Sequence, residues 1–188
     1  MATDDENGNP ATCAVDIMDY DENGLYFLTA KGKSFYKRLK TNGYLSLTGI
    51  KGEKTLSCIS VSVRGEIKEI GAERLSGLLC KNSYMFEIYP TEQSRRALTV
   101  FCLFRGCGEW FDLSRKPIER FSFTFGGEKT NSGGYYITDK CNGCGKCLSV
   151  CPQNCIDIVG KAAIRQENCL HCGNCFSVCP VAAVEKRG

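Results

Sequence analysis

The sequence predicts a mainly β first domain, a small barrel with short helices, joined to a small α+β domain that is stapled by metal. Three observations predict it. Residues 1–125 alternate apolar and β-branched residues between tight turns, and from residue 141 a cysteine repeat takes their place. Between them Gly126–Gly134 is polar, glycine-rich and free of large apolar residues, which marks a linker. Eight of the fourteen cysteines fall in two copies of one spacing. The division is therefore 1–125, a linker over 126–134, and 135–188. The last piece is below the size at which an apolar core usually suffices.

In order along the chain, Asp5-Glu-Asn-Gly8 and Asp21-Glu-Asn-Gly24 are the same turn signal, each ending in the Asn-Gly that favours a hairpin. Strands are expected over Thr12–Met18 and Leu25–Thr29. From Lys33 to Thr41 the period changes, with Phe35, Tyr36 and Leu39 on one stripe, which predicts a short helix. Tyr44–Ile50 and Thr55–Ile70 return to strand, with Gly65 as a bulge or bend. Gly71–Cys80 reads as a helix with Leu75, Leu78 and Leu79 inward, and Thr91 opens another through Ser94 to Ala97. Leu98–Arg105 and Glu109–Leu113 are expected to form a hairpin across Gly106-Cys-Gly108. Strands in this number, with helices only at connections, suggest a small barrel.

The cysteine repeat carries the chemistry. Cys141, Cys144, Cys147 and Cys151 precede Pro152, and Cys169, Cys172, Cys175 and Cys179 repeat the C-x2-C-x2-C-x3-C spacing before Pro180. Thiolates three positions apart can close on one cube of iron and sulfide, while the fourth, bent away by proline, reaches a second cube. Zinc sites favour two CxxC pairs across a longer gap and have no use for a third cysteine at the same step. A disulfide scaffold belongs to secreted chains, and Met1–Gly8 has neither a basic nor an apolar leader region. The repeat resembles the bacterial two-cluster ferredoxins. That resemblance assigns Cys141, Cys144, Cys147 and Cys179 to one 4Fe-4S cluster, and Cys169, Cys172, Cys175 and Cys151 to the other.

The formal charge of +3 counts thiols as neutral. Two oxidised cubes, each about +2 against four thiolates, would bring the loaded chain to about −1. Charge therefore argues against nucleic acid as a partner. No apolar run approaches the roughly 18 residues of a membrane span, so no membrane partner is expected and the expected location is cytoplasmic.

The segment Leu25–Leu47, followed by the strand ending Val61-Ser-Val-Arg-Gly65, is similar to the pyridoxamine 5'-phosphate oxidase-like family, the FMN-binding split β-barrel, over about residues 1–125. A strand ending in Thr, a Lys four residues on, a helix, Asn and a further strand follow that family's order. The resemblance implies a homodimer with FMN at the subunit interface. It implies that Thr29 and Lys33 meet the flavin phosphate, with Lys31 assisting, that Ser60 faces the ring, and that Cys13 and Ala14 lie alongside it. A hydroxyl and a cation where a strand gives way to a helix suit a dianionic phosphate. Two departures stand out: Ala11, Thr12 and Cys13 replace the arginines of many relatives, and only Met1–Asp4 precedes the first turn, where relatives tend to have a helix and a strand.

His171, the single histidine, lies between two cluster cysteines, which disfavours Ser-His or Cys-His catalysis. Cys155 reads as packing, and Cys13, Cys58, Cys80, Cys102 and Cys107 as reduced thiols in the barrel, with Cys102 and Cys107 flanking the expected turn. Trp110 and Phe111 read as core. Asp112 and Glu119 have no acid–base partner, and no catalytic residue is assigned. The leading expectation is an iron–sulfur flavoprotein oxidoreductase, exchanging electrons with a redox partner protein or a small-molecule substrate. The alternatives are an electron-transfer module without its own substrate, and a barrel holding a deazaflavin or haem.

Overall fold

A computed structural model describes residues 1–129 and 133–188, so the linker predicted over 126–134 lies partly outside the described residues. Strands β1 (Ala2–Asp4) and β2 (Pro10–Thr12) pair antiparallel across the first predicted turn. There the Asp5 carboxylate accepts from the N–H groups of Asn7 and Asn9, at 2.8 and 2.9 Å, so the turn is held by its own residues. The second copy works in the same way between β3 (Ile17–Asp21) and β4 (Gly24–Ala30), where Asp21 accepts from the Asn23 N–H at 2.9 Å. The single strand expected over Thr12–Met18 does not form. Cys13 still exchanges backbone bonds with Met1, at 3.0 and 2.9 Å, but Ala14–Asp16 leave the ladder and with Cys13 line a cleft, and the β3–β4 register shifts between Ile17 and Asp19.

Helix α1 (Ser34–Asn42) follows the predicted stripe, burying Phe35 and Leu39, and stops at Gly43, whose φ of 61° gives the left-handed cap. Strand β5 (Tyr44–Lys51) leads to one 3-10 turn at Thr55–Ser57, so β6 (Ile59–Gly71) begins later than expected. The Ser57 hydroxyl and Cys58 thiol both donate to the Lys54 carbonyl, at 2.9 and 3.0 Å, and this local bonding competes with the ladder. Helix α2 (Leu75–Lys81) also begins late, because β6 runs through Gly71. A short helix α3 (Met85–Ile88) follows unannounced by any pattern, and α4 (Glu92–Arg95) carries the reciprocal Thr91–Ser94 cap.

Strand β7 (Leu98–Asp112) runs unbroken through Gly106-Cys-Gly108, so the hairpin expected there is absent. Neither glycine takes a positive φ. Gly106 is instead required where β7 meets β6: a Cβ on it would lie 2.1 Å from the Arg64 carbonyl oxygen, and one on Gly65 would lie 2.1 Å from that of Arg105. Strand β8 (Glu119–Phe125) then pairs with β7. Across the sheet the order is β2-β1-β5-β6-β7-β4-β3.

The chain divides into two compact units. The first holds 1–48, 62–108 and 124–128. Its β4 is buried on both faces, which explains a nearly continuous apolar run in that strand. Tyr26 joins Met18, Leu79, Val100 and Cys102 on one side. On the other, Phe27 stacks on Phe101 with centroids 5.7 Å apart, and Phe35 of α1 lies 6.3 Å from Phe27. Truncating such a fully buried Phe to Ala costs about 3–5 kcal/mol.

The second unit holds 49–61, 109–123 and 129–188. It contains the outer parts of β5–β8, where Trp110 stacks on Phe121 at 5.0 Å. It also contains the paired strands β9 (Gly134–Ile137) and β12 (Val184–Arg187), helix α5 (Lys146–Ser149), the hairpin β10 (Ile156–Val159) with β11 (Lys161–Ile164), and helix α6 (Asn174–Ser177). Its apolar cluster is small and half made of cysteine. Among the described residues no helix is long and apolar enough to cross a membrane.

Candidate functional site

In the second unit the two cysteine motifs are near copies in backbone conformation as well as in sequence. Gly145 and Gly173, with φ of 75° and 82°, each precede a short helix that carries the third cysteine of its motif. Gly143 has φ of 73°, and a Cβ there would lie 2.4 Å from the Gly160 carbonyl oxygen. At the corresponding place in the second motif stands His171, left-handed at φ 54°, and Asn154 and Ala182 match likewise at 49° and 47°. The sharp turns that bring cysteines together three positions apart are thus built into the repeat.

Two cavities result. One, of about 350 Å³ including its mouth, is lined by Cys141, Cys144, Cys147 and Cys179. The other, of about 330 Å³, is lined by Cys151, Cys169, Cys172 and Cys175, and by Cys155 as well. Each motif therefore sends its fourth cysteine, the one before Pro152 or Pro180, to the other motif's cavity. In each cavity the thiols surround a volume rather than pairing with one another. This arrangement fits a polyatomic cluster.

Backbone amides point at the sulfurs. The N–H of Ala162 donates to Cys141 Sγ at 3.4 Å, that of Ala183 to Cys179 Sγ at 3.2 Å, and that of His171 to Cys169 Sγ at 3.4 Å. Donation from the Ala162 amide, then from Gly143, holds the Cys141 thiol below its ordinary value. Burial pushes Cys147 and Cys175 up, a cost that metal binding offsets by supplying positive charge to the thiolate. Cys155 is 2% exposed and its thiol is pushed up to about 12, by burial first and then by Cys151, whose sulfur lies 3.4 Å away. It occupies the place that fully buried Ala183 fills in the second half, which makes it a packing residue.

In the first unit, a cleft of about 840 Å³ including its mouth is lined by Cys13, Ala14, Thr29 and Lys33. These four predicted residues come together from the β2–β3 connection, the end of β4 and the start of α1. Thr29 is 4% exposed, and its Oγ1 is buried with no hydrogen-bond partner among the described residues. Lys33 occupies the N-cap of α1 and places no side-chain acceptor on the helix's first N–H groups. An orphaned hydroxyl, a cation and uncapped helix amides are the donor set that a phosphate requires. Lys31 is exposed and Ser60 is half-buried in the second unit, and neither lines this cleft.

Two residues on the cleft escape any sequence pattern. Tyr84 donates its hydroxyl to Asp16 at 2.6 Å, which together with burial raises the phenol above its ordinary value. They come from distant segments and share no spacing rule. Among the described residues no two cysteines form a disulfide. Cys102 is buried and donates to the Asn23 carbonyl at 3.5 Å, and Cys107 accepts from Arg64 Nε at 3.5 Å.

Residues 140–183 match the 4Fe-4S dicluster domain family. No curated protein matches the chain. Among solved structures, a protein related to general stress protein 26, of the pyridoxinephosphate oxidase family, from Clostridium acetobutylicum is 18% identical with a TM-score of 0.50, over 65% of this chain and 82% of that one. A heme-binding protein from Mycobacterium smegmatis is 14% identical with a TM-score of 0.51, over 65% and 50%. PhzG from Burkholderia lata, in complex with tetrahydrophenazine-1-carboxylic acid, is 13% identical with a TM-score of 0.50, over 68% and 76%. The likeness to these three structures is one of fold. The barrel-like part of the chain has the fold of the pyridoxamine phosphate oxidase-like proteins, and an iron–sulfur domain follows it.

Proposed function

We propose that this chain is an iron–sulfur flavoprotein that passes electrons between two 4Fe-4S clusters and an FMN. Cys141, Cys144, Cys147 and Cys179 hold one cluster, and Cys169, Cys172, Cys175 and Cys151 hold the other. The observation that carries this reading is the crossed grouping of the eight cysteines around two cavities, in a chain whose barrel also buries an unpartnered Thr29 hydroxyl in a cleft with Lys33.

When bound, the clusters supply one-electron exchange and the flavin supplies one- or two-electron exchange, so the chain connects single-electron carriers with the two-electron chemistry of a small substrate. The Thr29 hydroxyl donates to the FMN phosphate, and Lys33 and the first amides of α1 neutralise it. The phosphate gives Thr29 the partner that the folded chain withholds. In the cluster domain, the amides of Ala162, Ala183 and His171 stabilise the negative charge of their thiolates, draw on their electron density and orient them. The family resemblance supports a homodimer with flavin between the copies; a redox protein or a small-molecule substrate is the proposed partner, and the cytoplasm the proposed location.

Anaerobic reconstitution with iron and sulfide, followed by metal and flavin analysis, tests the reading. The expected result is about eight iron atoms per chain and FMN released on denaturation. A preparation that binds iron but releases haem, a deazaflavin or no chromophore would sink the flavin assignment. A barrel without a substrate of its own would show flavin reduction through the clusters but no turnover with any small acceptor.

A further inference from the structure

The two clusters proposed above sit in near-identical loops, yet besides His171 and Cys155 their surroundings in the second unit differ in the charged side chains packed against them: the half-exposed Arg165–Asp157 pair and a more enclosed arginine both lie on the side of the Cys151–Cys169–Cys172–Cys175 ring. The start of β8 is bonded to segments that carry the Cys151–Cys169–Cys172–Cys175 ring. The Ile118 N–H donates to Gln153 Oε1 at 3.0 Å, the Asn168 side-chain amide donates to the Ile118 carbonyl at 3.1 Å, and Arg120 Nη1 donates to the Cys169 carbonyl at 3.4 Å. Arg120 also forms an ion pair with Glu109 of β7. The Arg120 side chain is only 14% exposed, and Glu109 is 44% exposed.

Beside the other ring the comparable pair is Lys161–Asp139, at 2.7 Å, and it is open to solvent: Lys161 is 52% exposed and Asp139 fully so. Water and salt screen that pair, and a pair of this kind acts weakly on anything behind it. The Arg120 charge is shielded far less. At 3.4 Å its bond to the Cys169 carbonyl is long, so the charge carries more of the effect than the hydrogen bond does.

We infer that the Arg120–Glu109 ion pair sets the reduction potential of the cluster held by Cys169, Cys172, Cys175 and Cys151, and so separates it electrochemically from its otherwise similar neighbour. This rests on the two-cluster reading. A cluster gains one negative charge on reduction, so a nearby cation favours the reduced form and a nearby anion opposes it. Arg120 is a positioning residue: it fixes a ligand-bearing segment and contributes a charge partly cancelled by Glu109.

The signs follow. Arg120→Gln removes the cation and leaves Glu109 uncompensated, which lowers the midpoint of that cluster. Glu109→Gln leaves the cation unopposed and raises the same midpoint. Arg120→Lys keeps the charge and returns the midpoint toward the wild-type value. A role confined to folding gives no opposite pair of shifts.

The experiment is an EPR-monitored redox titration of the anaerobically reconstituted full-length protein and these three variants. Cys172→Ser, which alters or removes the signal of the cluster in question, identifies its midpoint. The inference is supported by opposite shifts of that midpoint in Arg120→Gln and Glu109→Gln, with the other midpoint unmoved. It is overturned if both midpoints move together, or if neither moves. Should Arg120→Gln fail to fold, a rise in Glu109→Gln with a wild-type midpoint in Arg120→Lys supports it, and no rise overturns it. A wild-type protein with fewer than two reducible clusters removes the two-cluster reading itself, and the inference falls with it.

Discussion

Gly65 and Gly106 occupy each other's side-chain space: a Cβ on Gly65 would lie 2.1 Å from the Arg105 carbonyl oxygen, and one on Gly106 would lie 2.1 Å from the Arg64 carbonyl oxygen. The obstacle is backbone on both sides, so no rotamer change relieves it. Gly106→Ala is expected to destabilise the protein by about 1–3 kcal/mol or more. Gly77→Ala is the control, because Gly77 lies in α2 with nothing within 4 Å of its Cβ position. That variant should be neutral or more stable by about 0.5–1 kcal/mol. Urea denaturation of both decides, and equal stabilities would refute the close approach.

Thr29→Val should act in opposite directions on the empty and loaded barrel. Without ligand, the Oγ1 that has no partner is replaced by a methyl group, which stabilises by about 1 kcal/mol. FMN binding should weaken roughly 10-fold, as one phosphate bond is lost. Lys33→Met, which removes a charge-assisted contact, should weaken it roughly 10- to 100-fold. Flavin fluorescence titration together with thermal melts of the apo-protein measures both effects, and unchanged affinity in both variants would move the phosphate elsewhere.

Glu69 of β6 is half-buried, accepts from Thr99 Oγ1 of β7 at 2.7 Å and pairs with Lys40 of α1 at 3.0 Å. Burial raises its carboxyl, but the Thr99 hydroxyl and the Lys40 ammonium outweigh burial and hold it below the ordinary 4.5. A depressed folded value means the carboxylate stabilises the fold fully above the unfolded value and loses this contribution as pH falls through the folded value. The melting difference between wild type and Glu69→Gln should therefore be largest near neutral pH and shrink in acid. A difference that is flat with pH would show the carboxylate to be electrostatically idle.

Removing iron with a chelator should unfold β9–β12 while leaving the first unit folded. The cluster domain's buried set is small, and half its members are the thiols themselves. Such a core does not hold without metal. Phe27, Phe101 and Val100, by contrast, are at most 1% exposed and bury no metal ligand. Hydrogen exchange should show lost protection at Ile156–Val159 and retained protection at Leu25–Ala30. Protection retained in both places would mean that the small domain folds on its own apolar contacts.

Elements whose cause is local were legible in the chain. The Asp5 and Asp21 turns, the Phe35–Leu39 stripe of α1 and the Thr91–Ser94 cap each form from residues within a few positions of one another. Where a distant strand decides, the reading failed. Gly106 and Gly108 carry the signature of a turn, but Gly106 serves the approach of β6, and β7 continues straight through. Ala14–Asp16, inside the strand expected over Thr12–Met18, turn out of the ladder to line the cleft.

The same division applies to the sites. The chemistry of the cluster domain was legible in its cysteine spacing, because thiols three positions apart before a proline suit a shared cluster, and the turns this needs rest in part on Gly143, Gly145 and Gly173. Thr29 and Lys33 were marked by the resemblance to the split-barrel family, whose order of strand, lysine and helix they follow. It took the folded chain to show that Cys13 and Ala14 join those two while Lys31 and Ser60 do not, that Tyr84 meets Asp16, and that Arg120 and Asn168 bind the start of β8 to one cysteine ring. Those contacts join residues dozens of positions apart, and no local periodicity encodes them: they exist only once the sheet has brought its strands together.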